Sequence, residues 1–180
     1  RERGHSACAV TFDPHPALWA GVEGFSYLMS LEDRIEHLVQ SGVDRVRVVP
    51  FGDRLAHMEP EAYVREVLVG RFEARAVVVG ATHRFGRGGR GDAALLDRMS
   101  SDLGFAVTIV QAATLGDTVV SSSQIRRLLA AGDVGQAKAM LGRPFRLEGS
   151  VIKGYQRGRE LGYPTANLQP PRGMTLPGPG

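Results

Sequence analysis

The stretch ARAVVVGATHRFGRGGRGDAALLDRMSSDLGFAVTIVQA, Ala74 to Ala112, decides the fold. It opens on a continuous apolar run, Ala74 to Gly80, typical of a strand in a parallel sheet covered on both faces. A basic, glycine-rich loop follows. DAALLDRMSSDLG then carries apolar residues at helical spacing and stops on glycine, and FAVTIVQA (Phe105 to Ala112) reads as a further strand. Strand, loop, helix and strand in this order are the unit of a doubly wound α/β sheet. Such sheets bind ligands at the carboxyl ends of their strands.

The alternation continues on the amino-terminal side. HSACAVTF (His5 to Phe12) and DRVRVVPF (Asp44 to Phe51) read as strands. SLEDRIEHLVQSG reads as a helix: Ser30 caps it, Asp33 is the acid three residues on, Leu31, Ile35, Leu38 and Val39 form the apolar stripe, and Gly42 stops it. PEAYVREVLVGRF (Pro60 to Phe72) is a helix with proline at its first position. The unusual sequences DPHP, PFGDR, ATHRFGRGGRG and TVVSSS each follow a strand, so they are expected on one edge of the sheet. After Arg143–Pro144 the character changes. Glycines multiply, prolines forbid long helices, and Leu147, Val151 and Ile152 suggest a strand. A second, β-rich domain is therefore expected from a boundary near residue 142, with the last ten residues in loop.

Composition narrows the function classes. With 43% hydrophobic and 23% charged residues over 180 positions, the chain is that of a globular protein, without an apolar run approaching a membrane span or a visible signal peptide. Its single cysteine, Cys8, excludes an internal disulfide and fits a reducing, cytoplasmic compartment; within its apolar run it reads as a small buried hydrophobe. The net charge of +3 is concentrated in THRFGRGGRGD and KGYQRGRELG. Two short basic loops suit a compact anion better than a polynucleotide, so neither nucleic acid nor membrane is an expected partner.

VSSSQIRRLLAAGD, Val120 to Asp133, is the sharpest local signal. Ser121, Ser122 and Ser123 can each cap a helix, Ile125, Leu128 and Leu129 have helical spacing, and Gly132 follows as a stop. Arg126 and Arg127 are left in the first turn, where the helix dipole disfavours cations unless an anion is bound. Hydroxyls, free N–H groups and arginine at a helix start form a phosphate site; a capped helix with solvated arginines is the plainer alternative.

VTFDPHP, VVVGATHRFGRGGRGD, VSSSQIRRLLAAGDV, LGRPF and RGRELGYPTANL occur in this order. Together they resemble the prokaryotic bifunctional riboflavin kinase/FMN adenylyltransferase family, also called bifunctional FAD synthetase. The resemblance implies a Rossmann-like nucleotidyltransferase domain over residues 1–142, which transfers AMP from ATP to FMN to give FAD and pyrophosphate. It implies the beginning of a small β-barrel riboflavin kinase domain over 143–180, which phosphorylates riboflavin with ATP and Mg2+. By position, Ser122, Ser123 and Arg126 would hold the nucleotide phosphates, with Ser123 and Arg126 as the catalytic pair. Asp13, Pro14, His15 and Pro16 would form the flavin-side loop, with His15 as a plain turn residue the alternative. Thr82, Arg84 and Phe85 would lie in the loop that holds flavin and nucleotide, although Phe85 also suits a core. Arg87, Arg90 and Arg127 are expected as solvated charges.

In the kinase segment, Thr165 and Asn167 would bind magnesium and ATP phosphate. Gly154, Gly158 and Gly162 would let the backbone approach phosphates. The family usually has an acid or asparagine where this chain has Thr82, and an aromatic where it has His83. The resemblance also implies a glycine–x–phenylalanine–aspartate–glycine segment with paired histidines ahead of Arg1, and the catalytic glutamate beyond Gly180. Without them the 180 residues are expected to turn over poorly. A nucleotidyltransferase of another cofactor pathway remains open, although LGYPTANL speaks against it. So does a non-catalytic flavin- or nucleotide-binding homologue, which Thr82 and His83 favour. Oligomeric state is not legible.

Overall fold

The computed structural model describes residues 4, 6–154 and 162–179. The chain forms two compact units: residues up to Glu23 with Ile35–Thr114, and Gly24–Arg34 with Leu115 onward.

In the first unit, β1 (Cys8–Asp13) pairs in parallel with β2 (Arg45–Pro50), Cys8 opposite Arg45 and Asp13 opposite Pro50. Likewise β3 (Ala76–Gly80) pairs in parallel with β6 (Ala106–Val110). The chain is α/β with parallel pairing, but the single doubly wound sheet expected from the sequence does not form. Among the described residues the strands stand as separate two-stranded pairs. Burial shows why the apolar runs misled. Val77 and Val79 pack into a core, whereas Val78 between them is 66% exposed, and Ile109 and Val110 are exposed too. One face of each parallel pair is left uncovered despite its hydrophobicity, against the usual pattern of parallel strands, whose two faces are both covered. The same alternation leaves Cys8 exposed rather than buried.

The core of this unit gathers Val64, Phe85, Leu96, Met99 and Phe105. Leu96 and Met99 come from α5 (Ala93–Leu103), which starts where Asp92 Oδ1 accepts the Leu95 N–H at 2.8 Å and ends at left-handed Gly104. Pro60 does open a helix, but only Pro60–Ala62 is α-helical; Tyr63–Arg71 winds as a π-helix. From this helix Tyr63, Val64, Leu68 and Val69 pack on this one cluster. The smaller rotation per residue of i→i+5 winding keeps two consecutive side chains on one side better than an α-helix does. The glycine-rich loop is itself folded: β4 (Arg84–Phe85) pairs antiparallel with β5 (Gly91–Asp92). Gly86 has φ +69°, and a Cβ there would lie 2.7 Å from the Pro60 Cα.

Helix α2 (Leu31–Gln40) carries the chain from the second unit back into the first. Ser30 Oγ accepts the Asp33 N–H at 3.0 Å, as expected of a cap. The buried Asp33 carboxylate does not reach back to Ser30 but pairs with Arg146 at 3.4 Å, because an arginine satisfies a buried carboxylate better than one N–H.

A short ribbon, β7 (Thr114–Leu115) with β8 (Thr118–Val119), leads to the second unit's α6 (Ser122–Ala130) and α7 (Val134–Leu141). Ser121 alone caps α6, its Oγ accepting the Gln124 N–H at 3.2 Å. Ile125, Leu129 and Ala137 form the core between α6 and α7, with Leu28, Met140 and Phe145 against it. Farther on, β9 (Ser150–Ile152) pairs antiparallel with β10 (Asn167–Gln169). Leu147 lies outside the strand, and among the described residues this ribbon does not close into a barrel. A single parallel bridge joins Tyr27 to Met174. Among the described residues no helix is long and apolar enough to cross a membrane.

Candidate functional site

Helix α6 fixes the place of Arg126. With Ile125 and Leu129 buried, Arg126 emerges at the margin of the apolar face, half-buried, and Arg127 points to solvent, bonded to Gln124 Oε1. The Arg126 Nε–H donates to the Ser26 carbonyl at 2.6 Å, and its guanidinium carbon lies 4.7 Å from the centroid of the Phe25 ring. Phe25 meets Tyr27 edge-on at 5.4 Å, and Arg34 covers Tyr27 at 5.8 Å. Burial pushes the Arg126 pKa below its ordinary value.

Arg54, Arg84, Arg87, Arg90 and Arg146 each stand beside a carboxylate; among the described residues Arg126 does not. A half-buried, immobilised cation without a counter-ion is the electrostatic form of an anion site. Arg126 lines a cavity of about 420 Å³ with Gly24, Ser26, Arg127, Ala130 and Thr175. Ser122 and Ser123, the first residues of α6, stand four and three positions before Arg126 and so share its helix face. Both are exposed, and their hydroxyls have no protein partner among the described residues.

The other expected site residues fall elsewhere. In the first unit, exposed Asp13 ends β1 and is joined to Pro14 by a cis peptide. His15 caps the helix that Pro16 begins, α1 (Pro16–Trp19), its Nδ1 accepting the Ala17 N–H at 3.1 Å. Thr82 is exposed. The His83 ring stacks on Phe85 at 5.8 Å, and burial holds its pKa below the usual imidazole value. Phe85 is buried in the core beside Tyr63. Arg84 pairs with Asp92 at 3.4 Å; Arg87 and Arg90, expected as solvated, share Glu59 at 3.5 and 2.6 Å. The basic loop thus neutralises much of its own charge.

In the second unit, a Cβ on Gly154 would lie 2.7 Å from the Asn167 Cγ, so the glycine leaves the space that the Asn167 amide fills. Thr165 is exposed and Gly162 has φ +80°. Gly158 lies outside the described residues. The structure therefore brings Ser122, Ser123 and Arg126 together on one helix face, and Gly154 against Asn167. Sequence reasoning missed Phe25, Ser26 and Thr175, which seat or border Arg126. No local motif marks them, because their role comes from pairing across the chain.

A family model described as FAD synthetase matches residues 1–124, and one described as riboflavin kinase matches 141–180. The chain belongs to the FAD synthetase family. Proteins named bifunctional riboflavin kinase/FMN adenylyltransferase are similar to it: 35% identity over 170 residues in Listeria monocytogenes, 33% over 169 in Escherichia coli K12 and 34% over 171 in Bacillus subtilis. Each alignment covers 93% of this chain and 53 or 54% of the relative, so the chain spans about half the length of the curated relatives it matches. A solved structure described as a macrolide-efflux protein from Streptococcus pneumoniae superposes with a TM-score of 0.85 at 25% identity, covering 100% of this chain and 59% of that one. In this member of the FAD synthetase family, Gly24–Arg34 belongs to the FAD synthetase match yet folds in the same compact unit as the riboflavin kinase match.

Proposed function

We propose that the intact protein is a cytoplasmic enzyme that makes FAD from riboflavin in two ATP-dependent steps. It phosphorylates riboflavin to FMN, then transfers AMP from a second ATP to FMN. Its partners are the small molecules riboflavin, FMN and ATP. The observation that carries this reading, beside family membership, is the uncompensated guanidinium of Arg126 at the start of a serine-capped helix. In adenylyl transfer an FMN phosphate oxygen attacks the α-phosphorus of ATP while the bond to pyrophosphate breaks. Such a reaction is accelerated by donors already aimed at the phosphate oxygens, because they need not reorganise as charge shifts. Arg126, the Ser122 and Ser123 hydroxyls and the free N–H groups of α6 are donors of this kind.

For the kinase step, Thr165 and Asn167 offer hard oxygen donors that suit magnesium. The Gly154 cradle supports the assignment, since it holds the Asn167 amide at the start of β10. Magnesium, when bound there, would offset the charge of the ATP phosphates.

Incubated with riboflavin, ATP and magnesium, the intact protein should yield FMN and then FAD by chromatography; FMN that never becomes FAD would overturn the transferase half. Gly154→Ala should displace Asn167 and slow riboflavin phosphorylation about tenfold, with FMN adenylylation unchanged. A kinase rate equal to that of the parent would remove the cradle from the site.

A further inference from the structure

We infer that Thr175, within the stretch matched by the riboflavin kinase model, is a positioning residue for Arg126. The inference rests on the nucleotide site proposed above. Arg126 has two supports, the Ser26 carbonyl and the Phe25 ring, and both belong to one short extended segment. That segment is bonded to residues 173–175. The Tyr27 N–H donates to the Gly173 carbonyl at 2.7 Å, and the Thr175 N–H donates to the Tyr27 carbonyl at 2.8 Å. The Thr175 and Ser26 hydroxyls share a third bond at 2.7 Å, and Thr175 is buried.

The same tail is tied to the helix that carries the arginine. The Gly178 N–H donates to the Leu129 carbonyl at 2.8 Å, and a Cβ on Gly178 would collide with the Ala130 carbonyl. Residues 173–178 thus link the two parts of the arginine's seat, the helix that bears it and the segment that orients it. Thr175 also borders the cavity that Arg126 lines. The kinase-matched stretch therefore sets the geometry of a site assigned to the other reaction.

Losing the Thr175 hydroxyl leaves the Ser26 hydroxyl unpartnered and loosens the carbonyl that holds Arg126 Nε. In the intact protein, Thr175→Val should raise the KM for ATP in FMN adenylylation roughly five- to tenfold, the effect of one lost hydrogen bond, with riboflavin phosphorylation unaffected. Thr175→Ser, which keeps the hydroxyl, should return the KM to within about twofold of the parent. Ser26→Ala, removing the other half of the bond, should reproduce the valine effect even if Thr175→Val folds poorly. An unchanged KM in both Thr175→Val and Ser26→Ala, while Arg126→Ala still lowers kcat/KM for adenylylation about 10²–10³-fold, would sink the positioning role alone. Equal loss of both activities, accompanied by a lower melting temperature and not rescued by serine, would also refute it in favour of a purely structural threonine. Adenylylation left within about twofold of the parent by Arg126→Ala would instead overturn the nucleotide site itself, and this inference with it.

Discussion

Arg126→Ala in the intact protein should lower kcat/KM for ATP in FMN adenylylation by about 10²–10³-fold and leave riboflavin phosphorylation within about twofold of the parent. The size follows from what is removed: a charged donor held in place before the substrate arrives, whose loss costs as much as that of an oxyanion-stabilising group. Selectivity follows from placement, since Gly154, Thr165 and Asn167 are untouched. Lysine should not rescue the variant. Its ammonium cannot give one donor to the Ser26 carbonyl and two to a phosphate in one plane, nor lie flat on Phe25. Steady-state kinetics of the two reactions, measured separately, check this. Equal losses in both would place Arg126 in the structure rather than in the site.

The second large effect concerns stability. Gly86→Ala should cost about 2–5 kcal/mol, read as a lower denaturation midpoint at unchanged slope in urea. Two costs add. The backbone at φ +69° and ψ −175° lies in a region that only glycine occupies readily. The added methyl would also meet the Cα, N and Cγ of buried Pro60 within 2.8 Å, most of them backbone atoms that cannot swing aside. The Arg87 N–H bonded to the Met58 carbonyl at 2.7 Å pins the loop there. If the midpoint stays put while flavin or nucleotide binding weakens, the glycine is there for a ligand, not for the fold.

That contrast marks the limit of what the sequence could tell. Local chemistry was legible: Ser30 and Ser121 cap their helices, because capping joins residues a few positions apart. Parallel pairing was legible too, from apolar runs separated by helices. The number of layers was not, since Val78 has the same hydrophobicity whether covered or exposed. Nor was the carboxylate beside each basic loop residue, since Glu59 lies 28 and 31 positions from Arg87 and Arg90. The candidate site divides in the same way. Ser122, Ser123 and Arg126 are neighbours by helical repeat and could be named at once. Ser26 meets Arg126 and Thr175 across gaps of 100 and 149 positions, in sequences that read as featureless loop.

A guanidinium can grip an oxyanion along either of two edges, one of which uses Nε. In this molecule Nε is engaged by a backbone oxygen, so only the distal pair of amino groups is left to offer. A phosphate bound at the proposed site would therefore dock end-on, along the long axis of the side chain, with the side-on approach closed to it before any substrate arrives.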